Sequence, residues 1–265
     1  MKLDVAFGPQ GLVSQNLAGR SVFVIDVLRA TTTICAAIHA GAKAVLPLNS
    51  IEEAIKLSHS IGSADTVLAG ERNCEPIQGF HLGNSPGSMT PETVGGKLMI
   101  MTTTNGTRAL TAALPGAAIF VTSLTNLSMA GEQARRILED TGDLLILCAG
   151  RDQAFGLDDA YTAGRLASLA LGGRRRRKGL NDAALVALDL FKRFGNRADR
   201  ALGISAAGRQ LAALGYHDDI ALAAEVDRYP ILPEFRDRRI INPAAASGSP
   251  GIPEEPHSSS PSTAT

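Results

Sequence analysis

The sequence predicts an α/β fold in three layers, a mostly parallel sheet with helices packed on both faces. Two observations carry this. Continuous aliphatic runs recur at residues 22–25, 44–48, 98–101, 118–121 and 144–147, and strands that are apolar all along belong to sheets covered on both sides. Three of the runs also share one grammar, in which an apolar strand leads into a polar turn containing arginine and then a small-residue helix. The turns span 26–33, 102–108 and 148–157, and the helices that follow are expected over 34–40, 109–114 and 158–171. Gly41-Ala42 and Pro115-Gly116-Ala117 mark the ends of the first two helices, as expected for a C-terminal glycine.

The remaining elements follow from local signals. Residues 50–60 read as an amphipathic helix with Ser50 as N-cap and Glu53 as its capping-box partner. Residues 67–69 form a short strand running into Gly70-Glu71, and 72–93 is loop-rich, long enough to suggest function. Helices are expected over 127–139, 182–194 and 205–214, the last ended by Gly215. From residue 242 the chain is Ala, Ser, Pro, Gly and Thr, a composition that predicts a disordered tail.

Composition narrows the function classes. The 265 residues are 45% hydrophobic but only 4% aromatic, without tryptophan, so aliphatic side chains must fill the core. The 26 basic residues balance the 26 acidic ones, which removes a broad basic field for nucleic acid. The basic run at 174–178 reads as a solvated loop rather than an RNA or membrane contact. Three irregularly spaced cysteines, Cys35, Cys74 and Cys148, suggest neither a disulfide framework nor a zinc site. No apolar run approaches the roughly 18 residues of a membrane span, and no signal segment opens the chain, so it reads as cytoplasmic.

The turns hold the chemistry. Open α/β sheets bind ligands at the carboxyl ends of their strands, which is where these turns lie, so they are expected to converge. Residues 101–110, Met-Thr-Thr-Thr-Asn-Gly-Thr-Arg-Ala-Leu, read as an oxyanion cradle. Gly106 would permit a turn at positive φ, Thr104, Asn105 and Thr107 offer donors, and Arg108 adds a planar cationic fork. Asp26 ends an apolar strand, where a carboxylate can hold Mg²⁺, and Arg29 can clamp a phosphoryl group with Thr31 and Thr32 behind it. The alternative is a plain Asp26–Arg29 ion pair. Glu71 and the Asp158-Asp159 pair are further acidic candidates, Asn84-Ser85 exposes an amide and a hydroxyl, and His81 is a candidate proton donor. Cys148 is either a nucleophile assisted by Arg151 or a buried packing residue. No P-loop, no Gly-x-Ser-x-Gly, no second aspartate two residues after Asp26 and no Cys-x₅-Arg cradle occurs.

Together these turns resemble the 2-phosphosulfolactate phosphatase family. The matching stretches are residues 24–33, Gly70-Glu71-Arg72, residues 79–86, residues 103–110 and Cys148-Ala149-Gly150; Leu214-Gly215-Tyr216 and Asp218-Asp219 fit more loosely. The sequence departs from the family pattern at His81 and Ser88, where acidic residues are usual, which bears on specificity rather than reaction class. The resemblance implies two similar three-layer parts packed together, dividing the chain into 1–122 with the phosphate-binding turns, 123–241, and the tail. It implies a homodimer and a Mg²⁺-dependent hydrolysis of (2R)-O-phospho-3-sulfolactate, a step of coenzyme M biosynthesis. In that reading Asp26, Glu71 and Asp159 hold the metal while Arg29, Arg108 and the backbone of 105–107, including Gly106, stabilise the transferring group. Thr31, Thr32, Asn84, Ser85, Thr104, Asn105 and Thr107 would contact substrate. The rivals are a phosphatase of the same fold acting on another small acidic ester, and a non-catalytic anion-binding module.

Overall fold

The protein is described by a computed structural model covering residues 1–12, 17–62, 64–152, 154–173 and 178–243; most of the basic run and the tail from 244 lie outside the described residues. The chain opens with β1 (Lys2–Ala6), β2 (Ser21–Ile25), α1 (Ala30–His39), β3 (Ala44–Pro47), α2 (Ile51–Ile61), β4 (Thr66–Arg72) and β5 (Glu75–Pro76). It continues through α3 (Pro91–Val94), β6 (Leu98–Thr102), α4 (Gly106–Ala113), β7 (Ala118–Thr122), α5 (Leu127–Asp140), β8 (Asp143–Cys148) and α6 (Leu157–Ala170). The last elements are α7 (Asp182–Phe194), α8 (Ala198–Ile204), α9 (Ala206–Ala213), α10 (His217–Ala224), β9 (Glu234–Arg236) and β10 (Arg239–Ile241).

The strands form one sheet in the order β1-β8-β2-β7-β9-β10-β3-β6-β4-β5. It consists of two parallel blocks, β1-β8-β2-β7 and β3-β6-β4, joined by the antiparallel β9–β10 hairpin. Strands of the first block come from both sides of residue 122.

Side-chain alternation along the strands divides the core into layers. Phe23, Ile25, Leu144 and Ile146 pack with α5, α6 and α7 on the outer face of the first block. Val22, Val24, Leu145 and Leu147 point the other way, into a cluster with Ile34 of α1, Leu110 of α4, and Met99 and Met101 of β6. Ile100 and Leu68 face α2 beyond the second block. Helices α1 and α4 are thus enclosed between the two blocks, and the α/β layering is as predicted. No helix among the described residues is long and apolar enough to cross a membrane.

Helix starts explain where the expected boundaries shift. The α1 helix begins at Ala30 rather than residue 34, because its threonines are built into its first turn. Thr31 Oγ1 accepts from the Asp26 amide at 3.0 Å, Thr32 Oγ1 donates to the Val27 carbonyl at 2.8 Å, and Thr33 Oγ1 donates to the Asn84 carbonyl at 2.9 Å. Ser50 caps α2 as expected, accepting from the Glu53 amide at 3.2 Å.

The closest helix packing is that of α6 on α7. A Cβ built on Gly164 would lie 1.9 Å from the Ala187 carbonyl oxygen, whereas one on Gly203 of α8 meets nothing within 4 Å. Gly164→Ala is expected to force the helices apart and lower stability by about 1–3 kcal/mol. Gly203→Ala should instead stabilise by about 0.4–1 kcal/mol. Urea unfolding of the two variants checks the pair.

Candidate active site

The loops after β2, β4, β6 and β8 meet in one pocket. It is lined by Asp26 and Arg29 after β2, Glu71 and Cys74 around the end of β4, residues 103–105 after β6, and Gly150, Arg151, Asp158 and Asp159 after β8. Asn84 and, from α9, Gln210 complete it. The expected convergence of turns distant in sequence therefore occurs, and every acidic residue expected at the site lines it.

Four of the lining carboxylates are buried: Asp26, Glu71, Asp158 and Asp159. They are not equivalent. Glu71 accepts from the Thr104 amide at 2.7 Å through one oxygen, and from the Cys74 amide at 2.8 Å and the Thr104 hydroxyl at 3.1 Å through the other. Asp159 accepts from the Val27 amide at 2.9 Å and the Gly150 amide at 3.0 Å. These two carboxylates tie neighbouring turns together. Asp26, which lines the pocket, accepts at 3.3 Å from the Ala30 amide through Oδ1, and its Oδ2, close against Gly106, accepts no hydrogen bond among the described residues. Asp158, at the first turn of α6, is held by backbone amides of its own turn.

Burial, then the charges of Asp158 and Glu71, pushes the Asp26 carboxyl up to about 7, against the opposing pull of the Ala30 amide and Arg29. Burial also raises Asp158 to about 6, opposed by backbone amides and the charge of Arg151. Asp159 is raised by burial and then by Asp158 and Asp26.

Arg29 is not the partner of Asp26. Its Nη1 donates to Asp219 of α10 at 2.6 Å, its Nη2 donates to the Cys74 carbonyl at 2.9 Å, and its guanidinium lies 4.5 Å from the Tyr216 ring centre. Ser85 donates to the same Asp219 oxygen at 2.8 Å. The plain Asp26–Arg29 pair is thus replaced by a clamp drawn from the far end of the chain. The Leu28–Arg29 peptide is cis.

The cradle at 101–110 is organised differently from the expectation. Gly106 does not take a positive φ; it opens α4. Its role is close approach, since a Cβ there would lie 2.4 Å from Ala30 Cβ and 2.8 Å from Asp26 Oδ2. Thr107 donates its hydroxyl to the Thr103 carbonyl at 2.8 Å, and its amide to Thr103 Oγ1 at 3.1 Å. Asn105 is the N-cap of α4 without a side-chain capping bond, so its amide is left for the pocket it lines.

Other expected residues sit apart from the pocket lining. Arg108 is exposed on α4. Thr31 and Thr32 are internal to α1, and Ser85 acts on Asp219. His81 is exposed, and its Nδ1 accepts from the Leu68 amide at 3.0 Å. Cys148 points away from α1 and α4 into the apolar layer shared with Tyr161. Burial and the charges of Asp159 and Asp158 raise its thiol well above the ordinary value, which disfavours the thiolate a nucleophile needs. Asn84 Oδ1 is buried at the pocket without a hydrogen-bond partner. Buried acceptors of this kind call for a ligand, ion or water.

Asp219, Tyr216 and Gln210 are participants that the sequence reading did not assign, and Arg151, expected beside the Cys148 thiol, instead lines the pocket. The Tyr216 and Asp218-Asp219 stretches were visible only as loose matches, and nothing local to them signals a contact 190 residues away in sequence.

The sequence has counterparts among known proteins. The family model for 2-phosphosulpholactate phosphatase matches residues 7–238. A protein of Symbiobacterium thermophilum named "Probable 2-phosphosulfolactate phosphatase" is 38% identical over 228 residues, covering 86% of this chain and 96% of that protein. One of the same name from Caldanaerobacter subterraneus is 37% identical, covering 84% of this chain and 90% of its own length. Another, from Thermotoga maritima, is 35% identical, covering 81% and 88%.

Two outcomes follow from the electrostatics. Between the ordinary carboxyl value of 3.8 and about 7, the folded protein keeps a proton on Asp26 that the unfolded chain has released. Stability of the metal-free protein should therefore fall as pH rises through that window. Asp26→Asn should flatten the fall and raise Tm at pH 8, at about 2–4 °C per kcal/mol of relieved repulsion; calorimetry at pH 5 and 8 checks it. Asp219→Ala should destabilise by about 3–5 kcal/mol, because the Arg29 side chain it leaves behind is only 3% exposed. Denaturant titration measures that loss.

Proposed function

The chain belongs to the 2-phosphosulfolactate phosphatase family, and from that premise we propose that it hydrolyses (2R)-O-phospho-3-sulfolactate to (2R)-3-sulfolactate and phosphate with the help of Mg²⁺. The observation that carries this reading is the uncommitted Asp26 oxygen. It lies at the carboxyl end of β2, in a pocket that also holds Arg29 and the N-terminal turn of α4.

The donor set fits magnesium. Among the described residues no three acidic, histidine or cysteine side chains form a ready metal cage. Mg²⁺ does not need one, since it is usually held by one or two carboxylates with waters and substrate phosphate oxygens completing an octahedron. Asp26, with Asp158 across the pocket, would hold it. Burial raises both carboxyls, and the charges of Asp158 and Glu71 add to it at Asp26; a divalent cation between them would favour their ionised forms. Glu71 and Asp159 keep their expected place beside the metal but have both oxygens engaged by backbone amides, and so act first as posts for the turns. When bound, the ion polarises the phosphoryl oxygens and lowers the pKa of water.

The protein's own groups do the rest. Arg29, fixed by Asp219 and Tyr216, presents the remaining edge of its guanidinium to the charge on the transferring group. Asn105 orients a phosphoryl or carboxylate oxygen from the α4 terminus. Cys148 packs beneath the site and takes no covalent part. The reading extends to a cytoplasmic homodimer in coenzyme M biosynthesis, the setting that the family resemblance implies.

Released phosphate, measured on phosphosulfolactate across a Mg²⁺ titration, tests the proposal. Turnover should require Mg²⁺ and vanish with a chelator. In Asp26→Asn it should fall by roughly 10²-fold or more, about 2.7 kcal/mol. The rise in Tm that Mg²⁺ gives the wild type through binding the folded state should shrink in the same variant. Unchanged turnover in a chelator would remove the metal from the mechanism.

A further inference from the structure

We propose that Arg151 is the specificity-determining residue of the pocket and takes the sulfonate of the substrate; the assignment rests on the phosphatase reading above. Among the residues lining the pocket, the cationic side chains are Arg29 and Arg151. They are held in contrasting ways. The Arg29 side chain is 3% exposed and is engaged by an ion pair, a carbonyl and an aromatic face. The Arg151 side chain is 31% exposed, so it stands toward the mouth.

The backbone aims it there. Gly150 has φ +64°, and a Cβ on it would lie 2.4 Å from the Ala154 carbonyl oxygen. The turn is closed by the Arg151 amide donating to Ala154 at 3.0 Å and the Ala154 amide donating back at 2.7 Å. From this turn the guanidinium donates through Nη2 to Gln210 Oε1 of α9, and Nε lies 3.4 Å from the exposed Asp152. Its Nη1 has no partner among the described residues. Gln210 fixes the plane of the fork without neutralising it.

The chemistry of the ligand selects this position. A phosphosulfolactate carries phosphate, carboxylate and sulfonate, and the pocket floor is acidic. A sulfonate is ionised at every working pH, offers three oxygens, and gains little from a metal already shared with phosphate. It needs a permanent cation with a free donor, and the Arg151 guanidinium, ion-paired through Nε with the exposed Asp152 but open at Nη1, meets that need. Arg29 is paired with the buried Asp219 and its remaining edge is assigned to the phosphoryl group, and Arg108 lies exposed on α4, outside the lining.

The test compares phosphosulfolactate with phospholactate, the same ester without its sulfonate, in wild type, Arg151→Gln and Arg151→Lys. Sulfolactate and lactate binding by calorimetry is measured alongside. Arg151→Gln should lose roughly 10- to 100-fold in kcat/KM on phosphosulfolactate, mostly through KM. On phospholactate it should stay within about threefold of wild type. Arg151→Lys, which keeps the charge but not the fork, should fall between and guards against a Gln variant that misfolds. Sulfolactate affinity should drop in parallel while lactate affinity holds. Equal losses on both esters, or wild-type sulfolactate affinity in Arg151→Gln, would overturn the assignment. If no ester is hydrolysed but sulfolactate binding still depends on Arg151, the phosphatase reading fails and the sulfonate site stands.

Discussion

Burying four carboxylates around one pocket is the constraint on which the rest of this structure depends. A buried anion without partners costs several kcal/mol, so each must be answered locally. The answers are backbone amides of the turns: Thr104 from the β6 turn and Cys74 from its own turn for Glu71, Val27 and Gly150 for Asp159. The β2 turn is thereby tied to the β8 turn, and the β4 turn to the β6 turn. Gly106 lets α4 come close enough to pack against Asp26 and Ala30. The small residues and threonines at these strand ends are the geometric conditions for carboxylates to be kept in apolar surroundings.

The same arrangement divides labour among groups that look alike in sequence. Glu71 and Asp159 serve as structural posts, both oxygens of each held by neighbouring turns, while Asp26 is left with an oxygen to offer. Of the pocket arginines, one is locked by Asp219 and Tyr216 while the other sits on a turn with an open donor. An anionic substrate entering a pocket with more acidic than basic side chains needs compensation from outside the chain. The Mg²⁺ of the proposed function would supply it without calling on the hydrogen bonds that hold the loops.

Much of this was legible in the sequence, and the pattern of what was not is physical. Long aliphatic strands and capped helices such as 50–60 and 182–194 announce themselves through periodicity and end signals, and they stand close to where they were expected. The convergence of the three turns followed from strand polarity. The β9–β10 hairpin did not show, because two strands of three residues carry almost no pattern. Arg108 and Arg151 could not be told apart, since which way an arginine points at a helix start or in a tight turn depends on tertiary contacts. Gly106 was read for its backbone freedom, whereas its use is its missing side chain. Asp219 was invisible as the partner of Arg29 because an ion pair across 190 residues leaves no local trace.

The β9–β10 hairpin has a consequence for how the chain is made. Strands β7 and β3 do not pair with one another; the last two strands among the described residues lie between them. Until residues 234–241 have left the ribosome, the two parallel blocks expose unpaired edges, and loop closure across such sequence separations is slow. The first block also waits for β8, which lies between β1 and β2. The two blocks therefore become one sheet only when these two short strands dock between them.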